Sequence, residues 1–315
     1  MTSLQTQIQQ NLANLKYFKD RENTDLAYAF EVNSGKPGKH ILIVGGVHGH
    51  EPVGVEAIIE VSNRFENGDL KLESGKITFL LGNPNAYKIN KRLINQNLNR
   101  AFLEDLESGV EGIRASAIRG LFDNSKIDFV LDLHTVSQGE FQMLAVYSQI
   151  SVQTALKISD LRTIVILHES NTPGTLALEG ERREIPGLMV ECGNNISLQA
   201  LPIAVRHILQ TLRHFDCIYS TNKSVSFKQI NFHDCVNIPL KVIVYRVLEP
   251  IKPDINFRFA NPQATTGTLL RLGEEFAFGD NNKYFAPQDC VLFIPDHNPS
   301  PLDNDAGFLA LLEVS

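Results

Sequence analysis

In His48-Gly49-His50-Glu51 an imidazole and a carboxylate stand three residues apart, close enough to face one divalent cation. Zinc accepts imidazole nitrogen and carboxylate oxygen, and a catalytic zinc keeps three protein ligands and one open position. The tetrapeptide also suits a plain helix start, since the helix dipole favours a Glu in the first turn with no metal present. A third ligand and a base elsewhere in the chain would decide between the two. His134 follows the apolar run Leu131-Asp132-Leu133 and is the best third ligand, with Asp132 as an orienting partner. Glu191 closes Gly187-Leu188-Met189-Val190 in the same manner. A carboxylate ending an apolar strand is costly without a partner, and partial burial would raise its pKa and favour a general-base role.

Substrate would need cationic partners. Residues 76–103 contain no Asp or Glu but carry Lys76, Lys88, Lys91, Arg92 and Arg100. Such a run is usually a solvated face. Here it follows an apolar strand and Asn83-Pro84, and an arginine offers a planar fork for a carboxylate. A second arginine could stabilise the oxyanion formed when water attacks an amide. Arg182 and Arg183 form another basic pair shortly before Glu191.

The elements that must hold these residues are legible from periodicity. Ile41 to Val44 reads as a buried strand, Gly45-Gly46 as a tight turn, and 52–65 as a helix with Val53, Val55, Ile58, Ile59 and Val61 on its apolar face. Strand–turn–helix is where an open α/β sheet binds its ligands. Further strands are expected over 26–32 at an edge, 76–82, 127–133, 143–148, 163–167 and 187–192. Helices are expected over 111–123 and 199–213, a turn at 83–85, and irregular chain over 88–103. Past about 220, short strand-like runs at 225–227, 241–248, 257–259, 268–271 and 291–294 are separated by turns rich in Pro, Asn and Gly. The expectation is an α/β catalytic domain over 1–220 and a smaller all-β domain over 221–315.

Composition narrows the function classes. The formal charge of −7 argues against nucleic acid, which needs a basic face, and any anionic substrate must be drawn by a local cluster. No stretch is long and apolar enough to cross a bilayer, and the polar, Gln/Asn-rich start lacks the pattern of a signal peptide. Cys192, Cys217, Cys235 and Cys290 include no Cys-x-x-Cys pair and fit reduced thiols in a cytoplasmic protein. The other histidines, His40, His168, His207, His214, His233 and His297, read as structural or surface residues.

Taken together, Gly46-x-His48-Gly49-x-Glu51, Gly82-Asn83-Pro84, Lys91-Arg92, Asn99-Arg100-x-Phe102, Asp132-Leu133-His134-Thr135 and Glu191-x-Gly193 resemble the succinylglutamate desuccinylase/aspartoacylase family, relatives of the zinc carboxypeptidases. The likeness runs from about residue 41 to 194, and more loosely to Leu312. The overall layout is nearer to the desuccinylases. The resemblance implies a zinc-carboxypeptidase-like mixed sheet flanked by helices, with a smaller C-terminal all-β domain. It implies one Zn2+ per chain on His48, Glu51 and His134, with Glu191 as the base that takes a proton from the zinc-bound water. Arg92 would polarise the scissile carbonyl, and Asn99 and Arg100 would hold a product carboxylate. Arg182 and Arg183 compete for a further substrate arginine, and Tyr284 is the candidate for a tyrosine supplied by the β domain. The implied activity is hydrolysis of an N-acylated acidic amino acid, foremost N-succinylglutamate. An aspartoacylase-like, broader deacylase or carboxypeptidase activity, and a non-catalytic metabolite-binding module, are the alternatives. The small anionic substrate is the expected partner, and a homodimer stays open. The chain departs from the family at Asn97, where an acidic residue is usual, and at His50, where a small polar residue is common.

Overall fold

A computed structural model of the chain describes residues 3–103, 108–136, 141–161, 163–219, 242–297, 299 and 306–314. The helices are α1 (Ser3–Arg21), α2 (Val53–Glu66), α3 (Pro84–Lys88), α4 (Gly109–Asn124), α5 (Gln149–Ile158), α6 (Leu176–Glu181) and α7 (Ala200–His214). The first seven strands are β1 (Ala29–Asn33), β2 (His40–Gly45), β3 (Lys76–Leu81), β4 (Phe129–Val136), β5 (Gln142–Val146), β6 (Thr163–Ile166) and β7 (Gly187–Asn194). The remaining strands are β8 (Ile243–Pro250), β9 (Arg258–Phe259), β10 (Leu269–Leu270), β11 (Glu275–Phe278), β12 (Lys283–Phe285), β13 (Cys290–Phe293) and β14 (Phe308–Val314).

One mixed sheet runs in the order β1-β3-β2-β4-β7-β5-β6-β8-β14-β13-β10. β3, β2, β4 and β7 are parallel, and these are the strands that read as near-continuous apolar runs, because helices cover both faces. Alternation along each strand sends side chains to opposite cores. Ile41, Ile43, Leu131, Leu188 and Val190 pack beneath α1, α2 and α7. Leu42, Val44 and Val130 meet Ala115, Ile118 and Phe122 of α4. From β2 the chain passes to β3 on one side and to β4 on the other, so a crevice opens at the carboxyl ends of β2 and β4.

The C-terminal β region is joined to this sheet. β8 pairs in parallel with β6 and antiparallel with β14, so the sheet continues from the α/β part into the β-rich part. A second, three-stranded sheet, β12-β11-β9, closes over a core that includes Phe257, Phe259, Phe276 and Leu292. The expected domain boundary at residue 220 and the expected strand at 225–227 lie outside the described residues.

Helices α5 and α6 were not expected from the sequence, and two further departures bear on the site. Residues 83–85 open a short helix, with the Asn83 side chain accepting from the Ala86 N–H, where a turn was expected. The polar start forms the 19-residue α1. Its buried stripe is Asn11, Asn14, Leu15 and Phe18. Asn11 Nδ2 donates to the Tyr87 carbonyl at 2.7 Å and Asn14 Nδ2 to the Tyr87 hydroxyl at 2.8 Å. Half of the stripe is amide, so hydrophobic periodicity does not reveal it.

Candidate active site

β2 and β4 are adjacent, with Gly45 opposite Leu133, so the residues just beyond their ends share one rim. Gly46, at φ 69°, turns the chain out of β2. A Cβ on Gly49 would fall on the backbone of Ala86, Tyr87 and Lys91, so only glycine lets this loop lie against the next one. Gly49 N–H donates to the Arg92 carbonyl at 3.2 Å, which ties the His48 loop to the basic segment.

His48, Glu51 and His134 meet in the crevice, all three buried. His48 Nδ1 is 2.7 Å from Glu51 Oε1, and His134 Nδ1 is 3.0 Å from Glu51 Oε2. One ligand atom from each lies within 4.8 Å of the others, so the set could hold a metal ion. Ligands on one tetrahedral zinc stand about 3.3 Å apart for bonds near 2.05 Å. The two outward nitrogens are also held: His48 Nε2 is 3.1 Å from Asn97 Oδ1, and His134 Nε2 is 3.0 Å from Asp132 Oδ2. Each ring thus turns Nδ1 toward the centre while its Nε2 is held from outside, the orientation that metal-bound imidazole takes. Thr135 N–H donates to Glu51 Oε2 at 3.2 Å.

Charge in this pocket is dense. Burial and the Arg92 guanidinium depress His48 to about 3. Burial works the same way on His134, but the Asp132 and Glu51 carboxylates outweigh it and hold that imidazole well above its ordinary value. Burial would raise Glu51, yet both imidazoles keep its carboxyl well below the usual range.

Glu191 sits directly opposite His134 in the β4–β7 register, on the same face of the sheet. Its Oε2 is covered and finds no hydrogen-bond partner among the described residues. Burial, with the Glu51 and Asp132 charges, pushes it up to about 7. A carboxyl poised there can both take and give a proton near neutral pH.

The basic segment closes the site from the side. Glu111 at the start of α4 accepts from the backbone N–H of Ile94 at 2.6 Å and Asn95 at 3.0 Å. It also accepts from Asn83 Nδ2 at 3.1 Å. Sequence reasoning missed Glu111, because an acid in a first helical turn carries no distinguishing signal. The Asn97 side chain accepts from Asn99 N–H, shaping a single 3-10 turn over Leu98–Arg100. Arg92 Nη1 lies 3.6 Å from Glu51 Oε1. Arg92, Asn99 and Arg100 line a cavity of about 1070 Å3 together with His48, Glu51, His134 and Glu191. Asn99 also accepts from Leu176 N–H at 2.9 Å, so part of its amide holds the start of α6.

Three expected substrate residues do not line that cavity. Arg182 pairs with Glu169, and Arg183 donates to Asp123 at 3.0 Å and to Glu179 at 2.6 Å. Both belong to an ion-pair cluster around the buried Glu179 at the end of α6. Tyr284 stacks edge-on against Phe257 and donates its hydroxyl to the Lys252 carbonyl at 2.9 Å. The β-rich wall of the cavity offers Arg258, Asp296 and His297 instead; sequence reasoning passed over the first two and read His297 as a structural or surface residue.

A family model, the succinylglutamate desuccinylase/aspartoacylase catalytic domain, matches residues 37–215. The chain belongs to this family. A probable aspartoacylase from Trichodesmium erythraeum is 26% identical over 228 residues, covering 67% of this chain and 72% of that one. A succinylglutamate desuccinylase from Pseudomonas paraeruginosa is 32% identical over 118 residues, a stretch that spans 35% of each chain. Among solved structures, the succinylglutamate desuccinylase from Vibrio cholerae superposes with a TM-score of 0.70 at 17% identity, covering 90% of this chain and 85% of that one. The corresponding protein from Vibrio parahaemolyticus gives 0.67 at 20% identity, covering 90% and 86%. At these identities the structural likeness speaks for the fold. The mixed sheet, the flanking helices and the C-terminal β region are the family's architecture.

Proposed function

We propose that the chain is a zinc-dependent amidohydrolase that cleaves the amide bond of an anionic N-acyl amino acid. The observation that carries the reading is the convergence of His48, Glu51 and His134 beside Glu191, a carboxyl whose Oε2 is covered and without a partner among the described residues. Two imidazoles and a carboxylate match zinc's preferred donors, and a three-ligand set leaves one position for chemistry. A bound Zn2+ would supply Lewis acidity, polarising the carbonyl and lowering the pKa of water.

The chain's own residues have separable tasks. Glu191 takes a proton from the water that attacks the carbonyl carbon, then passes it to the nitrogen as the C–N bond breaks. Acid and amine are released and no atom is unaccounted for. Arg92, beside Glu51, hydrogen-bonds the carbonyl oxygen as negative charge builds on it. Arg100 and Asn99 hold the carboxylate of the amino acid. Among named substrates, N-succinylglutamate is assayed first, because relatives bear the name of its hydrolase. No described helix is long and apolar enough to cross a membrane. The buried free thiols Cys192, Cys217 and Cys290 fit a cytoplasmic setting, which belongs to the same proposal.

The test is removal of zinc with a chelator and measurement of the free amine released from N-acyl amino acids. Activity should vanish with the metal and return when zinc is restored. Turnover that survives complete zinc removal would sink the reading.

A further inference from the structure

Strand register fixes what lies next to the base. On the face that carries the site, His134 of β4 stands opposite Glu191 of β7, and Glu191 stands opposite Met143 of β5. One step back along the strands, the row is Asp132, Met189, Ala145 and Val165. The face is therefore charged at β4 and apolar from β5 onward. Met143, Ala145, Leu167, Met189 and Phe293 form this part of the cavity wall, and all five are buried. They belong to one buried apolar cluster, with Val165, Ala177, Val247, Val291 and Ala310 behind them. The cavity, at about 1070 Å3, lies just above the range typical of drug-sized ligands, about 300–1,000 Å3. The cations that the sequence led us to expect beyond the centre, Arg182 and Arg183, are bound up in ion pairs elsewhere. Arg258 reaches the cavity from the opposite, β-rich wall, where Asp296 also lies.

We infer that the substrate carries, besides the carboxylate held at Arg100, an apolar aliphatic or aromatic group that packs on Met143, Ala145, Leu167, Met189 and Phe293. The inference deepens the hydrolase reading and rests on it for the position of the amide. A second or third carboxylate, as in a succinyl group, would lose its hydration against this wall and gain no counter-charge from the five side chains that form it. An apolar chain gains instead, by about fourfold in affinity per methylene buried. The apolar group can belong to the acyl chain or to the amino acid's side chain, since both radiate from the scissile amide.

The test measures binding and turnover separately, on the zinc-loaded full chain. Calorimetry with Glu191→Gln protein compares N-hexanoylglutamate, N-acetylphenylalanine, N-succinylglutamate and N-acetylaspartate, and the wild type is assayed with the same four. At least one of the first two should bind tenfold or more tightly than both of the others. Preference for N-hexanoylglutamate assigns the wall to the acyl chain, and preference for N-acetylphenylalanine assigns it to the side chain. Tightest binding by N-succinylglutamate or N-acetylaspartate overturns the inference while leaving the hydrolase reading intact. Apolar preference in binding with no turnover of any of the four by the wild type upholds the inference and overturns the hydrolase reading. Leu167→Asn should reduce the apolar preference about tenfold. Arg258→Ala should leave the affinity for the preferred apolar ligand unchanged, and loss of that binding in Arg258→Ala would count against the wall.

Discussion

Asp132→Asn tests whether the imidazole geometry described above serves a metal. Asp132 is wholly buried, and its Oδ2 lies 3.0 Å from His134 Nε2. That contact fixes the ring so that Nδ1 points at Glu51. Asparagine preserves the shape and an acceptor oxygen but removes the charge, turning a charge-assisted hydrogen bond into a neutral one. Charge-assisted bonds are roughly twice as strong as neutral ones. Loss of such an orienting partner typically weakens metal binding by about 10–100-fold, or roughly 1.4–2.7 kcal/mol. Asn97 already holds His48 through a neutral amide at 3.1 Å, so the charge on His134's side is the one to remove. The assay is competition for zinc against a chromophoric chelator, with metal content measured after dialysis. Circular dichroism of the metal-free variant checks that the fold is intact. A folded Asp132→Asn protein that keeps zinc within twofold of the wild type would refute the argument that Asp132 orients a ligand.

Three further outcomes follow from particular contacts. Glu191→Gln should lower kcat by about 10²–10⁴-fold while zinc content stays at one per chain, because the amide cannot shuttle a proton; a drop below tenfold in steady-state assays removes Glu191 from the role of base. Gly49→Ala should cost about 3 kcal/mol or more in urea unfolding, since its Cβ would overlap the backbone of Ala86, Tyr87 and Lys91; an unchanged midpoint means that the two loops do not lie in contact. His207 is pushed down to about 4 by burial, its Nδ1–H donating to the Ile203 carbonyl and its Nε2 accepting from Ser159. Between that value and the unfolded pKa near 6.5 the unfolded chain holds the extra proton, so stability falls with falling pH, by about 2 kcal/mol from pH 7 to pH 5. Denaturant titrations at both pH values should show that slope in the wild type and a flatter one in His207→Gln; equal slopes would remove His207 as its source.

How far the sequence could be read depended on whether the information was local. His48, Glu51, His134 and Glu191 were identifiable because each follows an apolar run that had to be a strand, and strand ends in an α/β sheet share a rim. The helices at 53–66, 109–124 and 200–214 followed from apolar spacing. Helix α1 did not, because its buried face includes Asn11 and Asn14, and their value lies in meeting Tyr87, which is 73 or more residues away in sequence.

The destination of long polar side chains was equally out of reach. In sequence, Arg92, Arg100, Arg182 and Arg183 are alike as basic residues near a strand end. Tertiary packing sent two to the cavity and two to an ion-pair cluster around Glu179, which is buried. A hydrophobic period reports which face of an element is covered, and that is a property of a dozen consecutive residues. The partner of a charge, and the apolar wall that β5 sets beside Glu191, depend on which strands become neighbours. Sequence order alone does not specify that, since β5 pairs with β7 across the intervening α5, β6 and α6. The sequence determined the chemistry available at the centre, and only the folded sheet decided what surrounds it.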